Sequence, residues 1–561
     1  MPEKTADSGE KMKQEEIKVG RKIVFAILFG TVISFFYAAG YLIETYDSLD
    51  LKAGSFYVRW LVQDILITGI LYGIWELADR YGKKMESCLK NGKIQFKFPW
   101  WLCVLFLFVC WIPAWLSIFP GAFNYDACAE WQQVACGVIN SHHPVLHVLW
   151  TGGLLEASFA LTGSYDPGIA VYTCIQMLLL AAALTGTLRF FKEFRVPDIF
   201  CFMALLFYGL SPVVQLFAVS TTKDVLFSAV LLLFFMSLIR LYCRREAFFL
   251  SRRQLALFGG YAFAAMILRN NGLYIVTVMF VIVLWNCRKY WRKLLPVVTL
   301  VCVAYGIYTG PFYQLLHVTP GGIEEMLSVP LQQMARVYKY DRDSLEEGDV
   351  ELLCLVVPEE YLDLYRPTVS DFVKRGFQEE VFLEHKKEFM DLWIRWGMEH
   401  PLTYVNSLLI NTVDFWYPGA VVDGYRHGDG RSSYFDYKVD EPGKEIGLLP
   451  SVHDYYEAIS HDSDVQKKPF AFLVLSPGWY LVMTMTAFGY LWCRKRNRLL
   501  IGGALSAVTM LTVLPGPMAL VRYVLILYYA FPAVLVLFLM PELFTDAESS
   551  TGSELYAGSG Q

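Results

Sequence analysis

Runs of about 20 apolar residues recur along this chain between short polar breaks, each long enough to cross a hydrocarbon core of roughly 30 Å. Twelve runs read as membrane spans: 23–43, 56–78, 99–119, 168–188, 199–219, 223–241, 255–268, 272–287, 294–313, 470–492, 499–514 and 519–541. The pattern predicts an all-α polytopic membrane protein, since helices satisfy every backbone group inside a bilayer. A further run, 144–162, carries His147 and Glu156 and is rich in Gly and Ser. Its hydropathy alone does not decide whether it makes a thirteenth span.

Charge decides it. Arg80, Lys83, Lys84, Lys90, Lys93 and Lys97 follow the second run, and Arg189, Lys192 and Arg195 form another basic loop. Arg240 to Arg253, Arg288 to Lys293 and Arg494 to Arg498 make three more. If 144–162 crosses the bilayer, every basic loop after it faces outward, against the positive-inside tendency. If it lies on the surface or re-enters, all of them are cytoplasmic. The second arrangement is expected, giving a multi-pass cell-membrane protein with both termini cytoplasmic. Runs 255–268 and 272–287 stay separate, because fusing them would put Arg269-Asn270-Asn271 at the bilayer centre, costing about 3 kcal/mol for the Arg alone.

This layout divides the chain into a cytoplasmic tail (1–22), two N-terminal spans with a basic loop (23–98), and a core (99–313) holding an external loop (120–168). An extracytoplasmic, mainly helical insert (314–468), C-terminal spans (469–541) and a cytoplasmic, disordered tail (542–561) complete it. The first run is too long for a signal-peptide apolar region and reads as an uncleaved span. At 55% hydrophobic and 18% charged over 561 residues, the composition excludes an ordinary soluble protein. The twelve cysteines are scattered mostly within apolar runs, where Cys acts as a small hydrophobe. No nucleic-acid partner is expected; the surroundings are membrane lipid.

With this orientation, polar residues gather near the outer helix ends. Asp126 and Glu130 are four apart, on one face of a helix beginning near Asn124, a good N-cap. A carboxylate pair suits deprotonation of a hydroxyl, and the two are the candidate catalytic residues. Tyr125, His142, His143, Lys223, Asp224, Arg269, Asn270 and Arg522 are candidate substrate-binding residues. Guanidinium forks match phosphate oxygens, although Lys223-Asp224 also reads as a local ion pair. His143 and His147, with a carboxylate, are candidates for a divalent metal. Surface placement is the default for Gln332, Gln333 and Arg336.

In FPGAFNYDACAEW, Asp126 stands where an early span leaves the membrane; SHHPVLHVLW and SPVVQLFAVSTTKDVLFSAVLLLFF follow, and VRYVLILYYAFP comes late. This arrangement resembles the GT-C superfamily of integral-membrane glycosyltransferases, closest to the protein O-mannosyltransferase and aminoarabinose-transferase branch. It is also similar to an uncharacterised bacterial membrane-protein family with FPG…YD and HHP signatures. Asp126 lacks the adjacent Glu of the common pair, and His-His-Pro stands in place of Lys-Pro-Pro. The resemblance implies a GT-C-like bundle of about twelve helices with surface helices in the first external loop. It further implies transfer of a sugar from a polyprenyl-phosphate donor to an extracytoplasmic glycan, lipid or protein, with Asp126 as general base. A transporter or flippase of a lipid-linked or anionic solute is the alternative from another class, and a lipid-linked oligosaccharide ligase or polymerase the alternative among enzymes.

Overall fold

The computed structural model describes residues 3–51, 53–90, 95–420 and 436–545. Lys93, most of the loop 418–442 and the tail beyond 545 lie outside them, as do the side chains of Lys83, Lys84 and Lys90. All twelve apolar runs are helical, and the described residues form no β-strand beyond isolated bridges. Nine helices lead to the site: α1 (Glu3–Tyr46), α2 (Gly54–Lys90), α3 (Trp100–Ser117), α4 (Ala127–Ala135), α5 (Val145–Thr162), α6 (Asp166–Glu193), α7 (Asp198–Leu210), α8 (Pro212–Ala218) and α9 (Lys223–Cys243).

Among the described residues, eight helices are long and apolar enough to cross a membrane, or nine if the bent pair α7–α8 is one span. Eight of the twelve expected spans are among these nine, and α5 is the ninth; the other four runs fold into helices of 14 to 17 residues: Arg252–Leu268, Gly272–Asn286, Pro477–Cys493 and Leu500–Val513. Polar turns cut these runs short of a full span's length. The 59° bend between α7 and α8 falls at Ser211-Pro212, where the proline lacks an amide donor and begins a new helix.

α9 is the axis of the bundle. It packs against α6 and the helices Arg252–Leu268, Leu500–Val513 and Leu525–Leu539, so it is apolar on all faces and almost wholly buried. Its 21 residues span about 31 Å, close to one hydrocarbon thickness. At its C-terminal end Arg240 and Arg244 pair with Glu193, the last residue of α6. Lys192–Asp198, Lys22–Asp79, Arg494–Asp79 and Arg496–Glu542 pairs lie at the corresponding ends of their helices. The bundle therefore has a basic end, and α9 begins at the other.

α5 is long and apolar enough to span by itself, yet both of its ends lie away from the basic end. Its first turn carries His147, hydrogen-bonded to Tyr172 in the N-terminal part of α6, and its last turn leads within three residues into α6. α4 packs along it, with Val134 against Gly152 and Trp131 Nε1 donating to Glu156 at 2.8 Å. α1 and α2 form a pair on the flank; α1 also contacts Pro401–Trp416 and Pro477–Cys493.

The segment 314–468 is mainly helical where described. It has its own apolar core, including Leu331, Met334, Leu353, Phe389 and Trp396. Pro401–Trp416 joins the main core through Ile410, Val413 and Phe415. Gln332, Gln333 and Arg336, expected at the surface, are buried. The helix carrying them, Ser328–Tyr340, packs between Pro401–Trp416 and Lys386–Glu399, a sandwich that no local pattern announces.

Candidate functional site

At the end opposite the basic loops, ionic side chains from four distant segments converge. After α3, Gly121 takes a φ of 145° with the Thr173 hydroxyl of α6 where a Cβ would stand, so only glycine fits this approach. Tyr125 follows in the left-handed region (φ 53°), a conformation that costs a bulky residue about 1–3 kcal/mol and clusters at functional sites. Its ring lies 4.4 Å from the Arg522 guanidinium carbon. The turn aims Asp126 inward, and α4 starts only at Ala127. Asn124 does not cap the helix, as the sequence suggested; its amide donates to the Asp436 carbonyl.

Asp126 accepts from Lys223 Nζ at 2.6 Å and from Arg522 Nη1 at 2.9 Å. Lys223 also reaches Glu130 Oε1 at 3.3 Å and His143 Nδ1 at 3.0 Å. Its neighbour Asp224 points elsewhere, accepting from Arg269 and lying 3.5 Å from Arg522 Nη1. The local Lys223-Asp224 ion pair therefore does not form; successive residues at a helix start point about 100° apart and find separate partners. Thr222 caps α9 by accepting from the Asp224 amide. The Arg269 guanidinium lies 4.2 Å over the Tyr523 ring.

Three carboxylates (Asp126, Glu130, Asp224) thus face three cations (Lys223, Arg269, Arg522). All are buried except Asp126, whose side chain is 31% exposed, and Arg269, which is partly so. Charges at this depth are tolerated only when paired. Burial works against ionised Asp126, yet Arg522 and Lys223 outweigh it and hold the carboxyl well below its usual range. Burial opposes Glu130 likewise, and His147 and Lys223 bring it down to about 2. For His143, burial and then the Lys223 ammonium depress the imidazole to about 3. It is neutral at pH 7, its Nδ1 accepting from Lys223.

Behind Glu130 runs a chain of hydrogen bonds through residues that sequence reasoning did not single out, Tyr172 and Gln176. Gln176 Nε2 donates to the carbonyls of Phe217, Ala218 and Ser220, which turns Oε1 toward Tyr172. Oε1 accepts the Tyr172 phenol proton at 3.0 Å, leaving the phenol oxygen to accept from His147 Nε2 at 2.7 Å. His147 Nδ1 meets Glu130 Oε2. Glu130 and His147 therefore form the inner end of a hydrogen-bonded chain that runs to Gln176. A tyrosine and glutamine four apart inside the run 168–188 were the available signal.

Other expectations change here. His142 is exposed, its ring against His143 and outside the ionic cluster. Asn270 is also exposed and donates to the carbonyls of Ser141 and His142, so it fixes the histidine loop. The His143/His147 pair is not arranged for a metal, because both His147 nitrogens are engaged and the Lys223 ammonium sits against His143. Among the described residues the one convergent ligand group is His453, Asp454 and Glu457, half or fully exposed.

These shifts predict an acid-labile fold. Asp126 and Glu130 are held below their unfolded values, so their stabilisation is present above about pH 4.5 and lost as pH falls through the folded values. His143 is also depressed: the unfolded chain binds its proton first, so stability declines as pH drops below about 6.5. The melting temperature is expected to fall by several degrees between pH 7 and 5, and His143→Gln to flatten that part of the curve. A wild-type curve level to pH 5 would contradict this.

A family model described as "Family of unknown function (DUF6020)" matches residues 134–551, a stretch holding His143, Lys223, Asp224, Arg269 and Arg522 but starting after Asp126 and Glu130. No curated protein and no solved structure matches the chain. By the extent of that match, the chain belongs to DUF6020, a family of unknown function.

Proposed function

We propose that this protein is a membrane glycosyltransferase of GT-C-like organisation, which moves a sugar from a polyprenyl-phosphate donor to a hydroxyl on an extracytoplasmic glycan, lipid or protein. In this reading twelve helices traverse the membrane, both termini are cytoplasmic, and the ionic cluster faces outward. The observation that carries it is Asp126: a partly open carboxylate set directly against Lys223 and Arg522, with Arg269 one carboxylate further on. Acid and phosphate-binding cations side by side are what displacement at an anomeric carbon requires.

The reaction balances on these groups. The acceptor oxygen attacks the anomeric carbon, its proton passes to Asp126, and the bond to the phosphate oxygen breaks with its electron pair leaving on the lipid phosphate. Charge grows on that phosphate as the bond breaks, so Arg269, Arg522 and Lys223 stabilise the transition state more than the ground state. With its present partners Asp126 is a weak base, because a good one has a pKa near the working pH. A donor phosphate competes for the same cations, and each one it takes raises the basicity of Asp126. The base is thus strengthened when donor is bound. The neutral His143 and Glu130, itself held by His147, keep Lys223 in place.

Two apolar grooves offer space for a prenyl chain. The larger, about 710 Å³, is lined by Phe36, Trp416, Met485, Phe488, Leu511 and Leu514 among others. Its end adjoins Thr512, which bonds Asn271, two residues from Arg269. The second, about 470 Å³, lies between α1, α2, Pro477–Cys493 and Leu525–Leu539.

Purified protein in lipid nanodiscs, given a panel of radiolabelled polyprenyl-phosphate sugars and a crude envelope acceptor fraction, is expected to release polyprenyl phosphate from at least one. If none is consumed while reconstituted vesicles move a lipid-linked or anionic solute, the transporter reading replaces this one.

A further inference from the structure

A polar cavity of about 480 Å³ lies where the end of α1 meets the 314–468 segment. It shares no residue with the ionic cluster. Tyr46, Asp47 and Ser48 form one wall; Arg336, Lys339 and Tyr340, on one face of Ser328–Tyr340, form another. Arg366 from the adjoining loop and Thr403 and Asn406 from Pro401–Trp416 complete it. α1 passes Lys22 at the basic end and reaches Tyr46 about 36 Å further on. The cavity therefore belongs to the same end of the molecule as the cluster.

Arg336 is the informative residue. It is 5% exposed and lines the cavity, yet its acceptors are neutral: the Tyr365 hydroxyl at 3.2 Å and the Asp47 backbone carbonyl at 3.3 Å. Its guanidinium carbon lies 4.8 Å from the Tyr340 ring. Among the described residues no carboxylate pairs with it, nor with Lys339, whose ammonium sits 5.8 Å from the Tyr365 ring. Every other buried cation discussed above has a carboxylate against it. A buried guanidinium without a counter-charge is costly, and its persistence beside open space points to a ligand that supplies the charge.

We infer that this cavity binds an oxyanion carried on a hydroxyl-rich body, such as a phosphorylated sugar or polyol. The charge balance favours the anion, with Arg336 and Lys339 on one helix face and a single acid, Asp47, in the lining. A guanidinium fork matches a phosphate or carboxylate edge. Ser48, Thr403, Asn406 and the tyrosine hydroxyls suit hydroxyl groups, and the volume is that of a small-molecule site. The walls are fixed before binding: Asn406 holds both the amide and the carbonyl of Leu49, and Thr403 donates to Asp341 at 2.7 Å. Two sources share this chemistry, a soluble sugar or polyol phosphate and the glycerol-phosphate headgroup of an anionic lipid.

Calorimetry on the full-length protein in phosphatidylcholine nanodiscs, with glycerol 3-phosphate as probe and glycerol as the neutral control, tests this. Binding of the phosphate but not of glycerol is expected, weakened at least tenfold by Arg336→Gln and severalfold by Lys339→Gln, while Arg336→Lys retains part of it. Lys339 is exposed, so its variant folds even where Arg336→Gln does not. No binding by wild type overturns the inference, as does unchanged binding by Lys339→Gln together with a folded Arg336→Gln. Binding lost in Arg522→Gln but kept in both cavity variants assigns the anion to the cluster and overturns it too. With the cavity dependence established, binding abolished in phosphatidylglycerol nanodiscs identifies the lipid headgroup as occupant; binding unchanged there identifies a soluble one.

Discussion

Asp126→Asn is expected to lower the turnover of polyprenyl-phosphate sugar by roughly 10³-fold, within the range that a positioned general base contributes, without weakening donor binding. The two halves of this result come from one geometry. Asparagine keeps the shape of the side chain and an oxygen for Arg522, but it cannot accept the acceptor's proton. It also relinquishes the negative charge that holds Lys223 and Arg522, leaving both cations freer for the donor phosphate. KM for the donor should therefore stay level or fall while kcat collapses. A purely structural role predicts the opposite, since losing the ion pair would loosen the site and raise KM. Single-turnover measurements with labelled donor, alongside a binding titration, separate the outcomes. Turnover within tenfold of wild type removes Asp126 from the catalytic role.

Much of this cluster is legible in the sequence, because membrane burial makes ionisable residues informative. Asp126, Glu130, His143, Lys223, Asp224, Arg269 and Arg522 are scattered over nearly 400 positions, yet an orientation argument from basic loops placed them all at one end. The structure brings these seven into one network of hydrogen bonds and ion pairs. What the sequence could not supply was pairing. Lys223 and Asp224 are adjacent in the chain and diverge in space, because a helix turns each residue away from the last. Asn124 looked like a cap but serves a carbonyl more than 300 residues away. Tyr172 and Gln176 hid inside an apolar run, where one phenol and one amide lower the mean hydropathy too little to break the span.

The helical framework shows the same division. Run length and hydropathy located every apolar helix, but the span count depended on where helices stop. Ser211-Pro212 and the turn at Asn270-Asn271 break runs that hydropathy alone reads as continuous. The 314–468 segment was readable as helical from its pattern. Its interior was not, because Arg336 looks like any surface arginine until Ser328–Tyr340 packs between two other helices. Burial of a long polar side chain is a property of the tertiary fold, and composition carries no record of it.

Asp224→Ala is expected to destabilise the protein more than any other single change in the cluster, by about 3–5 kcal/mol, the cost of stranding a buried charge. Asp224 is fully buried and is the one carboxylate partner of Arg269 among the described residues. It also lies 3.5 Å from Arg522 and occupies the first turn of α9, where a negative charge meets the helix dipole favourably. Truncation strands the Arg269 guanidinium against the Tyr523 ring with no carboxylate among the described residues, and leaves Arg522 with Asp126 alone. Asp126→Asn is milder by comparison, since Lys223 keeps Glu130 and Arg522 keeps Asp224. Thermal melts in one detergent should rank the variants in that order. Adding Arg269→Met to Asp224→Ala removes one stranded cation and should restore part of the loss, a coupling that a double-mutant cycle reads directly. Polyprenyl phosphate should stabilise Asp224→Ala more than wild type, because the ligand then supplies the missing negative charge. Equal stabilisation of both proteins would mean that the lipid phosphate does not reach Arg269 and Arg522, and the donor site would have to be sought elsewhere.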